Sequence, residues 1–290
     1  MSSDIRRLGA VFMLACVFSA SSLAQNIDAE GAPSRVLSAD LCADAFVFAL
    51  AGRENIFAAS WQVDQPVSGA PDWARDLPRA WTEAERLVGL DPDIAVFGPI
   101  GPGRAAPILE AAGINAVTLG WGEDFEIVRA NARVLSDALS QPERAEALIA
   151  DLDARLARLE GRSRARGIRP SVFYLNVSGG TAGSGTLVDA AIMAAGGRNA
   201  AAEAGAVGWT PADPEWALRV TPNLIVTSYF RDGFSSINQT GARHALFRDL
   251  LARTPHIDVP SADWSCAGPT LIHAAETIAD ALDQIVEGGS

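Results

Sequence analysis

The stretch that decides the fold occurs twice, first as Glu85-Arg-Leu-Val-Gly-Leu-Asp-Pro92-Asp-Ile-Ala-Val-Phe97 and, 130 residues later, as Glu215-Trp-Ala-Leu-Arg-Val-Thr-Pro222-Asn-Leu-Ile-Val-Thr227. In each copy a Glu opens a short apolar helix. A Pro seven residues on ends it, because Pro cannot continue a helix and biases the preceding residue away from the helical conformation. The aliphatic run that follows is typical of a buried strand in a parallel sheet. Two equivalent units predict two lobes with a cleft.

Strands alternate with helices on both sides of one uninterrupted helical stretch. Alternation of this kind predicts parallel sheets covered by helices. Residues 142–166 keep helical spacing of apolar side chains and predict a long helix between the halves. The expected fold is α/β: two Rossmann-like lobes with parallel sheets, joined by a single long connector helix, with a ligand cleft between the lobes. The expected bounds are 25–140 for the N-terminal lobe, 141–168 for the connector and 169–290 for the C-terminal lobe.

The first 24 residues have the pattern of a secretory signal peptide. Basic residues at 6–7 precede an apolar core at 8–18 that is too short to span a bilayer, and Ala24 completes a small-x-small cleavage site. The alternative is lipidation of Cys16, but the Met three places before it is a weak start for a lipobox. Cleavage after Ala24 is therefore favoured, and the mature protein is expected in a bacterial periplasm.

The charge balance excludes several classes of partner and chemistry. Formal net charge is −12, so nucleic acid and anionic membrane surfaces are poor partners. All 23 basic residues are arginine, and no lysine occurs in the chain. This excludes a phosphate-binding P-loop lysine and a Schiff-base lysine.

Two cysteines, Cys42 and Cys266, remain after export, one near each end of the mature chain. In an oxidising compartment such a pair is more often a disulfide than a metal site. The sequence alone leaves open whether the two Cα atoms come within bridging distance.

The familiar catalytic and metal-binding patterns are incomplete. The glycine-rich segment 180–186 resembles a nucleotide-binding loop but lacks its lysine, so a tight turn with backbone N–H groups facing the cleft is expected. Ser184 lacks the glycine two places earlier that a nucleophile elbow carries. The three histidines all lie in the second half and form no His-x-x-x-His pair. No catalytic residue, no metal ligand and no cofactor of the protein's own is therefore expected.

Aromatic and arginine side chains gather at predicted loop positions in both halves. Trp61 and Trp121 lie at the carboxyl ends of predicted strands, where the ligand sites of α/β proteins occur. The set predicts a flat, partly apolar ligand between aromatic walls, with arginines contacting its oxygens. The predicted ligand-binding residues are Trp61, Trp81, Arg104, Trp121, Trp209, Tyr229, Arg231 and Trp264.

Glu85 and Glu215 allow two interpretations. An acid in the first turn of a helix stabilises the helix dipole by roughly 0.3–1 kcal/mol. Alternatively, the two acids form a matched pair of surface anions, one on each lobe, for a partner that presents two basic patches.

The arrangement resembles the periplasmic binding proteins that serve importers of ferric siderophores, heme and vitamin B12. The resemblance rests on Glu85…Pro92-Asp93, on Trp209…Glu215…Pro222, on the helix at 142–166 and on Ser261-Ala-Asp-Trp264. It implies that Glu85 and Glu215 pair with arginines of a dimeric membrane permease. One departure is Phe97-Gly98, where the B12-binding member has a tryptophan.

The resemblance implies a periplasmic solute-binding component of an ABC importer, not an enzyme. It would capture a metal chelate, either a corrinoid or a ferric siderophore that carries its own cobalt or iron, and deliver it as a monomer to a permease dimer with its ATPase. The alternatives are a secreted α/β hydrolase-like enzyme that uses the cleft and a protein that binds free metal ions.

Overall fold

A computed structural model describes residues 33–213, 215, 221–228 and 244–288 of the chain. The predicted signal peptide with its Ala24 cleavage site, Cys16, and the predicted ligand residues Tyr229 and Arg231 lie outside the described residues. The described residues belong to one compact unit, within which two separate parallel sheets are built. None of the described helices is both long and apolar enough to cross a membrane.

The first lobe is built on a five-stranded parallel sheet. Its strands are β1 (Val36–Ser38), β2 (Ile56–Ser60), β3 (Arg79–Ala80), β4 (Ile94–Phe97) and β5 (Asn115–Thr118). Their order in the sheet is β3-β2-β1-β4-β5, and every neighbouring pair is parallel. The chain therefore adds β2 and β3 on one side of β1, and then crosses back to add β4 and β5 on the other side. Such a reversal leaves a crevice at the carboxyl ends of the two central strands.

Four helices accompany this sheet: α1 (Leu41–Leu50), α2 (Ala84–Gly89), α3 (Ala106–Ala111) and α4 (Phe125–Ala138). Asp40 caps α1, since its carboxylate accepts hydrogen bonds from the backbone N–H groups of Cys42 and Ala43, each at 3.0 Å. Asp124 caps α4 in the same way. Capping side chains thus fix the start of each of the two longer helices.

The Pro92-Asp93 motif of the first repeated stretch anchors the beginning of the sheet. The Asp93 carboxylate accepts hydrogen bonds from the backbone N–H groups of Ser34 and Arg35, and the backbone bond from Ser34 is the main reason that its pKa is lowered. The Arg35 guanidinium donates in return to the carbonyl oxygens of Leu90 and Asp91. The turn before β4 and the segment entering β1 are therefore held together by charged hydrogen bonds.

A single helix, α5 (Pro142–Arg166), runs between the two sheets and has the bounds that the apolar spacing predicts. Pro142 stands in its first turn, where a missing N–H costs nothing. Gly167 ends it at φ 72°, a left-handed conformation that favours glycine.

The second lobe carries a four-stranded parallel sheet and a two-stranded ribbon. Its strands are β6 (Ser171–Asn176), β7 (Gly180–Ala182), β8 (Arg198–Asn199), β9 (Trp209–Pro211), β10 (Leu224–Ser228) and β11 (His256–Asp258). The parallel sheet has the order β11-β10-β6-β8, while β7 and β9 pair antiparallel. The described helices of this lobe are α6 (Leu187–Ala194), α7 (Ala200–Glu203), α8 (Ala245–Arg253) and α9 (Leu271–Gly288).

Arginines of α5 fasten it to the C-terminal helix α9. Arg162 and Arg166 both donate to the carboxylate of Asp283, with Nε–oxygen distances of 3.0 and 2.8 Å. Burial raises the pKa of Asp283, but the hydrogen bonds from these arginines outweigh it and leave the pKa below its ordinary value. The Arg166 side chain is almost fully buried and also donates to the carbonyl oxygen of Ala195. The connector helix is thus held along its second half by paired charges.

Candidate functional site

A cavity of about 790 Å³ opens above the carboxyl ends of the first-lobe strands, at the reversal between β1 and β4. Its size lies within the range of about 300–1,000 Å³ that is usual for small-molecule sites. The apolar part of its lining includes Pro99, Ile100, Pro102, Ile108 and Trp121. The polar part includes Asp40, Gln62, Thr82, Glu83, Glu85 and Arg104.

Asp40 and Gly98 join the two central strands at the bottom of this cavity. The second carboxylate oxygen of Asp40 accepts a hydrogen bond of 2.6 Å from the backbone N–H of Gly98, which follows β4. A Cβ atom at position 98 would lie only 2.6 Å from the other Asp40 oxygen, so a glycine is required for this approach. Asp40 therefore both caps α1 and fixes the loop that carries Pro99 and Ile100.

Trp121 stands on a tight loop, Gly120-Trp121-Gly122, that is held against α4. Asn131 of α4 accepts a hydrogen bond of 2.7 Å from the Gly120 N–H and donates one of 3.1 Å to the Gly120 carbonyl oxygen. A Cβ atom at Gly122 would lie 2.5 Å from Cβ of Ile127. The packed loop leaves Trp121 75% exposed, and its side chain lines the cavity, so the indole is accessible to a ligand.

A smaller cavity of about 90 Å³ adjoins the large one and is lined by residues of both lobes. Trp121 and Glu123 line it from the first lobe, and Leu187 at the start of α6 lines it from the second. Residues Cys42, Trp121 and Cys266 line both cavities, which makes the two spaces neighbours across a shared wall. The cleft predicted between the lobes thus has a defined floor.

The floor of the cleft contains a disulfide between Cys42 and Cys266, whose Cα atoms are 5.6 Å apart. Cys42 belongs to α1 of the first lobe, whereas Cys266 lies in the segment that returns from β11. The returning segment also contacts the first lobe through Ser265, whose hydroxyl donates to the carbonyl oxygen of Val67 at 3.3 Å. The disulfide is therefore a second covalent connection between the segments that α5 joins.

Asp44 is a buried carboxyl group two residues after Cys42 in α1. It accepts hydrogen bonds from the backbone N–H and the hydroxyl of Ser60, at 3.0 and 2.5 Å. Burial raises the pKa of Asp44 to about 6, against the hydrogen bonds from Ser38 and Ser60 that lower it. The group lies under the cavity floor, outside the lining of either cavity.

Besides the two cysteines, the structure places three of the predicted ligand-binding and permease-docking residues in the lining of the large cavity: Trp121, Arg104 and Glu85. Arg104 sits in the turn before α3 and is exposed. Glu85 lies in the first turn of α2, is exposed, and stands at the cavity edge beside Glu83. Glu215 is exposed as well.

Trp61 and Trp81 are not lining residues of either cavity. They follow β2 and β3 and stack on each other, with ring centroids 5.4 Å apart and planes 6° from parallel. The Arg86 guanidinium lies 4.9 Å from the centre of the Trp81 ring. Their immediate neighbours Gln62 and Thr82 do line the large cavity, so the stacked pair stands at its rim.

The two predicted ligand-binding tryptophans of the second lobe differ from each other. Trp209 in β9 is 49% exposed and its indole N–H donates to the carboxylate of Glu123 in the first lobe. Trp264 is only 3% exposed, packs edge-on against Tyr174 and donates to the Ser228 hydroxyl at 2.9 Å. The prediction that Trp264 faces the ligand is wrong, because its returning loop buries it in the core with its one donor satisfied.

The glycine-rich segment also differs from its prediction. The backbone N–H of Gly183 donates to the carbonyl oxygen of Gly208, and that of Ser184 to the carbonyl oxygen of Ala206. A Cβ atom at Gly183 would lie 2.2 Å from the Ala206 carbonyl oxygen. These N–H groups serve the ribbon of β7 and β9 instead of facing the cleft, and the glycine permits the close approach of two backbones.

Several residues that line the large cavity were not predicted from the sequence. Ile100 is 94% exposed and faces the large cavity from a loop rich in Gly and Pro, and Ile108, which is about half exposed, faces it from helix α3. The available signal was the Gly/Pro loop directly after a buried strand, which marks the ligand side of a parallel sheet. Within the described ranges, no group of three or more His, Cys, Asp or Glu side chains is placed to hold a metal ion.

Two lobes with parallel sheets, one connector helix and a cleft at the strand ends define a two-lobed binding protein. The chain belongs to the periplasmic binding protein family, whose model matches residues 46–255. Among curated proteins it is similar to the cobalamin-binding protein of Halobacterium salinarum, strains R1 and NRC-1, with 25% identity over 258 residues, 83% of this chain and 69% of the relative.

Solved structures have the same fold. The periplasmic heme-binding protein RhuT from Roseiflexus sp. RS-1, in apo form, is 23% identical with a TM-score of 0.70, covering 88% of this chain and 100% of that one. A periplasmic heme-binding protein from Pseudomonas aeruginosa is 25% identical with a TM-score of 0.67, covering 86% of this chain and 92% of that one. The predicted fold class and the predicted family are thereby confirmed.

Proposed function

We propose that this periplasmic binding protein captures a metal chelate in the cleft, with a corrinoid as the first candidate, and delivers it to the permease dimer of an ABC importer. The observation that carries the proposal is the 790 Å³ cavity at the strand reversal, bounded by the exposed face of Trp121. An exposed indole on a rigid loop offers a flat apolar surface to a planar macrocycle.

The chemistry of the described lining favours a chelate whose metal already carries its own ligands. Prolines, isoleucines and Trp121 supply packing surface, whereas Asp40, Gln62 and Thr82 supply polar groups. Arg104 is placed to meet a carboxylate, phosphate or amide oxygen at the edge of a ligand. Such walls recognise shape and peripheral polar groups, which suits amide-bearing corrinoids.

The comparisons support the ligand class. The curated relative named above is a cobalamin-binding protein, and the Pseudomonas aeruginosa structure is of a heme-binding protein. Cobalamin and heme both hold their metal in a tetrapyrrole-type macrocycle. A ferric siderophore is the remaining candidate of the same class, and the binding experiment distinguishes the three.

The remaining parts of the proposal concern delivery and location. Export with cleavage after Ala24 would place the mature chain in the periplasm, where Glu85 and Glu215 would contact arginines of the permease. The lobes exchange a captured solute with the importer and carry out no reaction, and the protein holds no cofactor of its own. Trp61 and Trp81 at the rim, Trp209 across the cleft, and Tyr229 and Arg231 complete the proposed ligand-binding set.

The proposal is tested by titrating the mature protein with cyanocobalamin, hemin and a ferric siderophore while recording tryptophan fluorescence. We expect saturable quenching by cyanocobalamin with a Kd below about 10 µM. Trp121→Ala should weaken that binding at least tenfold, whereas Trp73→Phe, outside both cavities, should leave it unchanged. Tight binding of hemin or the siderophore alone would reassign the ligand, and no binding of any probe would refute the class.

A further inference from the structure

Glu123 lies in the first lobe, between the Trp121 loop and helix α4, and its side chain reaches the second lobe. One carboxylate oxygen accepts a hydrogen bond of 2.9 Å from the backbone N–H of Leu187, and the other accepts one of 3.4 Å from the indole N–H of Trp209. Both donors belong to the second lobe. A single carboxylate therefore contacts two different elements across the cleft.

The contact with Leu187 completes the start of helix α6. Thr186, which precedes the helix, accepts a hydrogen bond from the Asp189 N–H through its own hydroxyl. The first helical N–H, that of Leu187, is satisfied by Glu123 from the other lobe. A negative charge at this end of a helix is also favoured by the helix dipole.

The contact with Trp209 links the Trp121 loop to an indole of the second lobe that lines neither cavity and belongs to the proposed ligand-binding set. Trp121 stands two residues before Glu123, on the loop that Asn131 and the side chain of Ile127 hold in place. Trp209 is bound to Glu123 from the opposite side. Glu123 therefore connects the two indoles across the lobes, while the β7–β9 pairing and an edge-on contact with Tyr174 hold Trp209 from its own side.

We propose that Glu123 is a positioning residue that fixes the spacing of the Trp121 and Trp209 walls, and thereby selects the thickness of the chelate that the cleft accepts. The ligand in this proposal rests on the proposed function, whereas the contact of Glu123 across the lobes rests on the hydrogen bonds alone. A flat macrocycle without bulky axial groups and a macrocycle with groups above and below its plane need different spacings. Loss of Glu123 therefore changes the preference between them.

The first test uses the mature protein without ligand and measures hydrogen exchange at the amide of Leu187. Glu123→Ala should speed this exchange about five- to tenfold, since a hydrogen bond of ordinary strength is lost. Glu123→Gln keeps an acceptor oxygen and should restore part of the protection. Glu126→Ala is the matched control, because Glu126 is exposed, pairs with Arg129 and should leave the Leu187 amide unchanged. Exchange in Glu123→Ala that equals the wild type would overturn the proposal.

The second test compares the affinities of the same variants for cyanocobalamin, which has bulky axial groups, and for hemin, which is flat. Glu123→Ala should change the ratio of the two dissociation constants at least fivefold, and Glu126→Ala should not. Equal weakening of both probes would refute the selection of thickness. If the wild type binds neither probe, the selection of thickness fails together with the tetrapyrrole ligands on which it rests, while the exchange measurement still decides whether Glu123 spans the cleft.

Discussion

Trp61 and Trp81 stack on each other at the rim of the large cavity instead of facing into it. Each ring thus has one face covered by its partner, and the stacked pair lies beside the large cavity that Trp121 lines. The two proposed sites of aromatic contact with a ligand are therefore unequal, and mutation can separate them.

We expect Trp81→Ala to weaken cyanocobalamin binding about fivefold, against at least tenfold for Trp121→Ala, because a rim contact buries less of the ligand. The same Trp81 variant should lose the exciton signal of stacked indoles in the far-ultraviolet circular dichroism spectrum, whereas Trp121→Ala should retain it. Equal losses of affinity would place the stack inside the binding surface.

The buried carboxyl of Asp44 predicts a loss of stability as pH rises. Its pKa is raised to about 6 in the folded protein, so the folded state holds the proton more tightly than the unfolded state does. The stabilisation is complete below the unfolded pKa and is lost as the pH rises through the folded one. Between pH 5 and pH 7.5 this group should lower the free energy of unfolding by about 1.5 kcal/mol.

Asp44→Asn should remove this pH dependence, since the amide does not titrate in this range. Urea unfolding at pH 5 and at pH 7.5 measures the difference for each protein. Asp72→Asn is the control, because Asp72 is exposed and its change should leave the pH dependence of the wild type intact. An unaltered pH dependence in Asp44→Asn would show that another group titrates.

The connector helix offers a pair of arginines that differ mainly in burial. Arg166→Ala should lower the free energy of unfolding by about 3 kcal/mol, because it removes a buried guanidinium from Asp283 and from the Ala195 carbonyl. Arg164→Ala breaks only an exposed ion pair with Glu160 and should cost less than about 1 kcal/mol. Denaturant unfolding at neutral pH compares the two. Similar losses would mean that burial does not govern these pairs.

Glu85 is exposed and also lines the edge of the large cavity. A measurement must therefore distinguish a role in docking to the permease from a role in ligand binding. We expect the double variant Glu85→Arg with Glu215→Arg to keep its affinity for the chelate within about twofold and to abolish uptake through the cognate permease, because like charges would then meet at the interface. Glu110→Arg, an exposed change on α3, should affect neither. A loss of affinity in the double variant would assign the acids to the cleft.

Helices and strands of this fold could be predicted from the sequence because the patterns that define them are local. Helix α5 occupies 142–166 as predicted, since apolar spacing and a single tolerated glycine define it. The strand after Pro92 and the strand after Pro222 also occur, at Ile94–Phe97 and Leu224–Ser228. In each case the residues that fix the element lie within the element or at its ends.

The parts that the sequence did not reveal depend on contacts between distant segments. The β7–β9 ribbon forms because Gly183 allows the Ala206 backbone to approach, and no periodic pattern records such an approach. Trp264 is buried because its loop folds back onto Tyr174, 90 residues earlier in the chain. Solvent exposure of a loop tryptophan is set by the partner segment, so its neighbours in sequence could not predict it.

The disulfide on the cleft floor has a consequence for the biogenesis of the protein. Cys42 and Cys266 are 224 residues apart, so a chain that leaves an export channel N-terminus first presents Cys42 long before its partner emerges. Any earlier pairing of Cys42 would have to involve Cys16 of the predicted signal peptide or a thiol from another molecule. The covalent closure of the cleft therefore becomes possible only when secretion of the chain is nearly finished.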